Sequence, residues 1–284
     1  MSFFTSVFKR RNRRKIERFL GRKLVETHMR EVWINTLAGV KLCAHLHTPL
    51  EPRSKLPGVV FVPGGESAGL DYDEKGEMSA HEVAGLGYAV LTYDPSGRGK
   101  SGGKENFWGA SHQRELKEVI EWFGAQPEVD ADDMGVLSFS IGVVIATGAL
   151  AMGPSVKVRY LYDWEGPSNS KVITKNDTHR PLLRFPSADR EFWDEREASR
   201  YIGRINCGYF RYQADMDHVQ GKFKGHAIEL VNGAVNGRAT WVRLNDNQPD
   251  ITLDGNRPDE YRWIPEERNH RGQMLKFLLE LRHV

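Results

Sequence analysis

Met134-Gly135-Val136-Leu137-Ser138-Phe139-Ser140-Ile141-Gly142-Val143-Val144-Ile145-Ala146 is the stretch whose reading decides the fold. Met134 to Leu137 is a short apolar run of strand type, and the apolar residues from Ile141 to Met152 have the length of a buried helix. Strand and helix are joined by Ser138-Phe139-Ser140-Ile141-Gly142. A turn this sharp holds the serine backbone in strain and exposes its hydroxyl, as in the nucleophile elbow G-x-S-x-G. Small residues two before and two after the serine let the strand and helix approach each other. Gly142 meets one requirement; Ser138 takes the place of the first glycine and is still small. Ser140 is therefore the nucleophile candidate. Ser138 fits less well, because Ser140 and not glycine stands two residues after it. A plain helix N-cap is the competing role for Ser140.

Outward from this stretch, apolar runs bounded by Gly and Pro alternate with helical patterns. Val32–Ile34 and Val40–His47 read as a hairpin turning at Leu37-Ala38-Gly39. Gly58–Val62, Tyr88–Tyr93, Val158–Tyr162, Cys207–Tyr212 and Ala239–Leu244 read as strands, and Met78–Leu86, His112–Phe123 and Gly272–Leu281 as helices. Strands alternating with helices of about ten residues predict an α/β fold, a mostly parallel doubly wound sheet covered on both faces. Residues 166–204 break the rhythm with Gly166-Pro167-Ser168-Asn169, Pro181 and Pro186, then a helix over about 188–201. An insertion of this length between two strands predicts a lid, with its proline-rich half mobile.

The chain has 284 residues, 39% hydrophobic and 27% charged, the composition of an ordinary globular protein. Lys and Arg number 40 against 38 Asp and Glu, and a net charge of +2 argues against a dedicated nucleic-acid binder. No apolar run approaches the roughly 18 residues of a transmembrane helix. The basic run from Lys9 to Lys15 is not followed by the apolar segment of a secretory signal, so the expected location is cytoplasmic. Residues 1–25 form a basic arm ahead of one domain over 26–284. In the arm Phe4 and Phe8, and Ile16 and Leu20, are spaced for an amphipathic helix. It is expected to pack on the body or on a second copy of the chain, with membrane-surface contact the weaker alternative. Cys43 and Cys207 show no metal-ligand spacing, and a bridge between them requires Cα atoms within about 7 Å.

The loop Asp94-Pro95-Ser96-Gly97-Arg98-Gly99-Lys100-Ser101-Gly102 follows a strand and precedes the helix leading to the elbow. It lacks the four-residue spacer of a phosphate-binding P-loop. It does resemble the D-x-x-G-x-G-x-S-x-G loop of the α/β-hydrolase superfamily. With the elbow in the correct order after it, the chain resembles that superfamily from about Val32 to His283. Phe192-Trp193, Arg196, Ser199 and Tyr201-Ile202, with the strand after them, are similar to the prolyl-oligopeptidase-like and dienelactone-hydrolase-like branches.

The resemblance implies a Ser–Asp–His triad in that chain order. Gln213-Ala214-Asp215-Met216-Asp217-His218-Val219 resembles the family's segment bearing the acid, which makes Asp217 the acid. Asp215, Asp163 and Glu165 are its competitors. His270, in Arg268-Asn269-His270-Arg271-Gly272, stands where the family carries its base on a loop before the last helix. His218 is expected to be structural, His226 and His283 lie near a turn and near the terminus, and His179, in the lid, is a candidate for substrate contact. The resemblance further implies an oxyanion hole from the Ile141 N–H and from the loop Pro63-Gly64-Gly65-Glu66, with Gly65 the donor and Glu66 the alternative. Glu66, Trp164 and Glu165 are expected to line the substrate pocket, and Phe107, Trp108, Phe185, Phe192 and Trp193 supply further aromatic candidates.

The function implied is a carboxylesterase-type serine hydrolase acting on a small-molecule ester, with no metal or organic cofactor. A prolyl-oligopeptidase-type peptidase or amidase, and a noncatalytic ligand-binding member of the fold, are the alternatives.

Overall fold

The computed structural model describes residues 13–52, 54–74, 79–175, 185–186, 188–218, 220–245, 252–256, 261–265 and 270–281, with backbone alone at 173–175 and 270. Eight strands form one sheet: β1 Thr27–Asn35, β2 Lys41–Pro49, β3 Leu56–Val62, β4 Ala89–Tyr93, β5 Val129–Phe139, β6 Val158–Trp164, β7 Gly208–Tyr212 and β8 Val242–Leu244. Their order is β1-β2-β4-β3-β5-β6-β7-β8. The β1–β2 hairpin is antiparallel and joins β4 antiparallel, whereas β4, β3, β5, β6, β7 and β8 pair parallel. The helices are α1 (13–20), α2 Ala80–Gly85, α3 Ala110–Gly124, α4 Gly142–Ala151, α5 Ser170–Lys175, α6 Arg190–Trp193, α7 Gly225–Val235 and α8 His270–Leu281. None is long and apolar enough to cross a membrane among the described residues.

Strand alternation sorts the core into two layers. Val60, Val62, Leu91 and Leu161 pack beneath α3, α4 and α7, with Leu116, Ile120, Val144 and Val231. Their neighbours Val59, Phe61, Val90, Tyr160 and Tyr162 face the opposite way, beneath α2 and α8, with Val83, Leu275 and Leu278. Successive side chains point to opposite faces of a strand, so one apolar run feeds both layers. Ile16 of α1 is buried in the second layer, so this part of the arm packs on the body, while Phe19 is exposed. Phe4 and Phe8 lie outside the described residues.

Three expectations change. Cys43 and Cys207 sit on or beside β2 and β7, the second and seventh strands of the sheet, about 24 Å apart at ~4.8 Å per strand. They do not pair, and burial pushes their thiols up to about 11 and about 12. The helix read over 188–201 is broken into α6 and two 3₁₀ turns, Ala198–Arg200 and Ile202–Arg204. There the Ser199 N–H donates to Ser168 O at 2.9 Å, and Arg196 donates to Asn106 O and Phe107 O at 3.0 and 2.9 Å. The i→i−4 ladder gives way to i→i−3 bonds, Arg196 N to Trp193 O, Arg200 N to Glu197 O and Tyr201 N to Ala198 O, and to the one from Ser199 to another segment. Finally, His270 is the first residue of α8 and not part of a preceding loop. His179 and Pro181, in the lid segment, lie outside the described residues.

Candidate active site

Among the described residues, five non-glycines have left-handed backbone: Phe107, Trp108, Ser140, Glu165 and Asn245. Ser140, Glu165 and Asn245 directly follow the carboxyl ends of β5, β6 and β8, the edge where α/β sheets bind ligands, and Phe107 and Trp108 close the β4–α3 loop. Each such conformation costs about 1–3 kcal/mol and persists only where its surroundings fix it.

Ser140 has φ +46° between β5 and α4. Its N–H donates to Trp164 O at the end of β6 (2.8 Å), which fixes the turn. A Cβ on Gly142 would stand 2.7 Å from Pro63 O, so only glycine lets α4 start this close to β3. Ser138 is fully buried, and its Oγ donates toward Tyr162 O at 3.4 Å. A hydroxyl committed inside the sheet explains how serine replaces the first glycine, and removes Ser138 as a competitor for the half-buried Ser140.

At the start of α4 the Ile141 N–H has no acceptor among the described residues, as expected for the orphan donors of a helix start. Gly65 has φ +53° with open space at its Cβ position, so conformation and not crowding selects glycine. The Gly65 carbonyl accepts from Arg98 Nη1 (2.8 Å) and Trp108 Nε1 (2.7 Å), and Arg98 is held by Glu105. The Gly64 carbonyl accepts from Ser67 N at 3.2 Å. Both carbonyls are thus committed, and the Gly65 N–H donates to no described residue. Glu66 is exposed at the rim.

Tyr72 escaped the sequence reading. Its ring stacks on Phe139, the residue before Ser140, at 4.5 Å, and its hydroxyl accepts from Gly64 N at 3.4 Å. Because Gly64 backs onto Ser140 Cβ, 3.2 Å from its own ideal Cβ position, this hydroxyl belongs to the same wall.

The acid candidates separate by their partners. Asp163 is fully buried and saturated by Arg211 Nη1 (2.6 Å), Tyr209 OH (2.7 Å) and Gly166 N (3.0 Å). Asp215 is exposed. Glu165 accepts from Ala214 N at 2.8 Å and meets His218 Nδ1 at 2.8 Å. Asp217 is buried; it accepts from Gln220 N (2.8 Å) and Gln213 Nε2 (2.9 Å), and its Oδ2 lies 3.4 Å from His226 Nε2. Burial raises its pKa, but the nearby His226 and His218 and the two hydrogen bonds more than offset that, holding the carboxyl below the usual carboxylate range.

His226 is itself fully buried, and burial together with Arg211 pushes it down to about 3. His226 Nδ1 lies 3.1 Å from Arg211 Nη2 and 3.2 Å from Gly166 O, while Nε2 faces Asp217. His226 is therefore a neutral prop for the acid.

Only the backbone of His270 is described. Its approach is anchored nonetheless. Ile264, six residues earlier, donates to Gln213 O (3.1 Å) and accepts from Asp215 N (2.9 Å), beside the Asp217 turn. Arg271 then pairs with Glu82 of α2.

The ring of Trp164 is buried against Phe139 and Tyr212, so its carbonyl, not its ring, is what meets Ser140. The other aromatics do gather. Phe185 stacks on Phe192 at 4.0 Å and meets Phe107 at 4.9 Å, which joins the described part of the 166–204 insertion to the loop that holds Gly65.

The family described as X-Pro dipeptidyl-peptidase (S15 family) matches residues 38–160. No curated protein sequence matches the chain. Among solved structures, the Pyrococcus furiosus esterase Pf2001 superposes with TM-score 0.61 at 18% identity, over 91% of this chain and 98% of that one. Acetyl xylan esterase 1 from Thermoanaerobacterium sp. superposes with TM-score 0.60 at 14% identity, over 96% and 93%. Porphyromonas gingivalis dipeptidyl peptidase 4 gives TM-score 0.65 at 17% identity over 93% of this chain, which spans only 37% of that peptidase.

Proposed function

We propose that this chain, an α/β hydrolase by fold, is a serine hydrolase that cleaves carboxylic esters. The observation that carries the reading is the left-handed Ser140 at the strand–helix elbow, beside an Ile141 N–H with no described acceptor. Strain at such a residue is kept where function needs the hydroxyl presented. In this reading Ser140 Oγ attacks the ester carbonyl as His270 takes its proton. Asp217 orients His270 and stabilises its charged form. The Ile141 and Gly65 N–H groups receive the oxyanion, with the Tyr72 hydroxyl a further donor on the same wall. His270 returns the proton to the leaving alcohol, and water repeats the sequence on the acyl-enzyme. Glu66 and Glu165 stand at the mouth. The ester reading is supported by esterase structures that superpose over 91% and 96% of this chain.

The test is hydrolysis of p-nitrophenyl esters from acetate to decanoate by the wild type and by Ser140→Ala, His270→Ala and Asp217→Asn. Ser140→Ala is expected to lower kcat by about 10⁴-fold or more, as loss of a triad nucleophile does. Undiminished activity in that variant would remove Ser140 from the mechanism.

A second reading, an X-Pro peptidase, is favoured by the family match over residues 38–160. Carboxylates such as Glu66 and Glu165 would there receive the ammonium of a peptide N-terminus. Release of p-nitroaniline from X-Pro anilides, with esters left intact, would select it.

A further inference from the structure

His45-Leu46-His47 lies within β2, away from the elbow. Period-two alternation sends Leu46 into the aliphatic core layer and both histidines to the opposite face. In the strand register His45 stands beside Glu31 of β1 and Thr92 of β4, which places all three on that face. Asp73, at the end of the 3₁₀ turn Gly69–Tyr72, reaches the same point. One carboxylate oxygen meets His45 Nδ1 at 2.5 Å, and the other meets His47 Nε2 at 2.9 Å.

We propose that His45, His47 and Asp73 form a binding site for a divalent transition metal ion of the zinc type. Two imidazoles and one carboxylate from two separate elements converge, their donor atoms within 4.8 Å of one another. Three protein ligands with a fourth position left to solvent are a recurrent zinc arrangement, and imidazole with carboxylate suits a borderline cation. Two bonds of about 2.05 Å at the tetrahedral angle put ligand atoms about 3.3 Å apart, so an ion entering between the carboxylate and the imidazoles, now at 2.5 and 2.9 Å, would spread them by under about 1 Å.

The outer contacts match as well. His45 Nε2 faces Glu31 at 3.6 Å, the carboxylate–histidine pairing that orients a metal-binding ring. Thr92 Oγ1 donates to Asp73 Oδ1 at 2.6 Å, which orients the carboxylate in turn. His47 and Asp73 border a cavity of about 330 Å³ with Met29, Leu70 and His81. That cavity gives an ion an entry path. Since Asp73 directly follows Tyr72, a bound ion would tie the loop beneath Phe139 to the β1–β2 hairpin.

The experiment uses the full chain stripped with a chelator and titrated with ZnCl₂ by calorimetry and with CoCl₂ by visible spectroscopy. The wild type is expected to bind one ion and to show the d–d bands of four-coordinate cobalt. His47→Ala and Asp73→Asn should each weaken zinc by about 100-fold or more, the upper end of what even outer-contact losses cost. His28→Ala, on the neighbouring strand, should leave binding unchanged. Failure of the wild type to bind, or binding that neither site variant weakens, would overturn the proposal. Should a variant lose its fold by circular dichroism, X-ray absorption of the wild-type zinc complex decides instead. A shell with two imidazole nitrogens and oxygen supports the site, and any other imidazole count rejects it. None of these readouts depends on hydrolysis.

Discussion

An imidazole meets a carboxylate at two places in this protein, with opposite surroundings. At the carboxyl end of β7, His226 faces Asp217 with one nitrogen and Arg211 with the other. At the β2 edge, His45 and His47 share Asp73, and their outer nitrogens meet Glu31 in one case and no partner in the other. A guanidinium is a permanent cation, and together with burial it holds the first imidazole neutral beside the acid. At the second pair the permanent cation, Lys100, sits on the outer Glu31, and the inner imidazole nitrogens meet the Asp73 carboxylate, between which a metal cation can enter. Residue type is the same in both places, and the third neighbour sets the chemistry.

The sharpest way to break this contrast is to remove the permanent cation. Arg211→Met would leave Asp163 fully buried without its ion partner, a loss of about 3–5 kcal/mol for a broken buried pair. The denaturant midpoint should fall accordingly. The double variant Arg211→Met/Asp163→Leu should recover most of that, because no lone charge stays inside. A double variant as unstable as the single one would show that the network does more than neutralise itself.

Acid titration separates the two places next. Above its ordinary value near 6.5, His226 is neutral both folded and unfolded and contributes no pH dependence. Below that value the unfolded chain binds a proton that the buried ring refuses until about 3. Stability therefore falls as pH drops through that window. Asp73 behaves otherwise: burial raises its pKa, but hydrogen bonds from His47, Thr92 and His45 more than offset it, so its pKa is lowered. Its contribution is complete above about 3.9 and is lost only as pH falls further. Buried His112, pushed down to about 4, acts over the same window, so thermal melts of His226→Gln should shrink the upper limb of the acid profile without abolishing it and keep the lower one. An upper limb of unchanged size would mean that His226 is not held neutral.

Much of this was legible in the sequence where chemistry is local. The elbow is written in consecutive residues, because strand, turn and helix each need their own residue type. The parallel sheet followed from alternation, whereas the roles expected for Asp217 and His270 came from the family resemblance. Partners brought together by folding were not legible. Arg211 and Asp163 are 48 residues apart, and only an arginine inside an apolar strand hinted that a buried counter-charge must exist. Tyr72 becomes part of the site wall only through its stack on Phe139. The His-x-His period in β2 was present in the sequence but carried no meaning without Asp73 beside it. The lid helix was over-read because side-chain periodicity cannot show that its backbone bonds shorten to i→i−3 and that Ser199 bonds Ser168 instead.

A smaller effect tests why glycine stands at the helix start. Gly142→Ala places a Cβ 2.7 Å from Pro63 O and 3.0 Å from Val62 O, both backbone atoms that cannot rotate away. Crowding of this kind costs about 1–3 kcal/mol, and it would shift α4 against the Gly65 wall. Activity toward esters should therefore fall by more than the loss of folded protein explains, measured as kcat/KM per folded molecule.

The smallest expected effect concerns Ser138, the one departure from the glycine pattern. Ser138→Gly removes a hydroxyl bonded at 3.4 Å to Tyr162 O and frees the backbone inside β5. Glycine within a strand costs about 0.5–1 kcal/mol, so the melting point should drop slightly. Nothing at Ser140 changes, since its N–H is held by Trp164 O and not by Ser138. Hydrolysis of p-nitrophenyl esters should keep its kcat/KM. A large loss of activity with the fold intact would mean that the fully buried serine, not the half-buried one, carries the chemistry, and the role assigned to the left-handed turn would pass to a residue deep in the sheet.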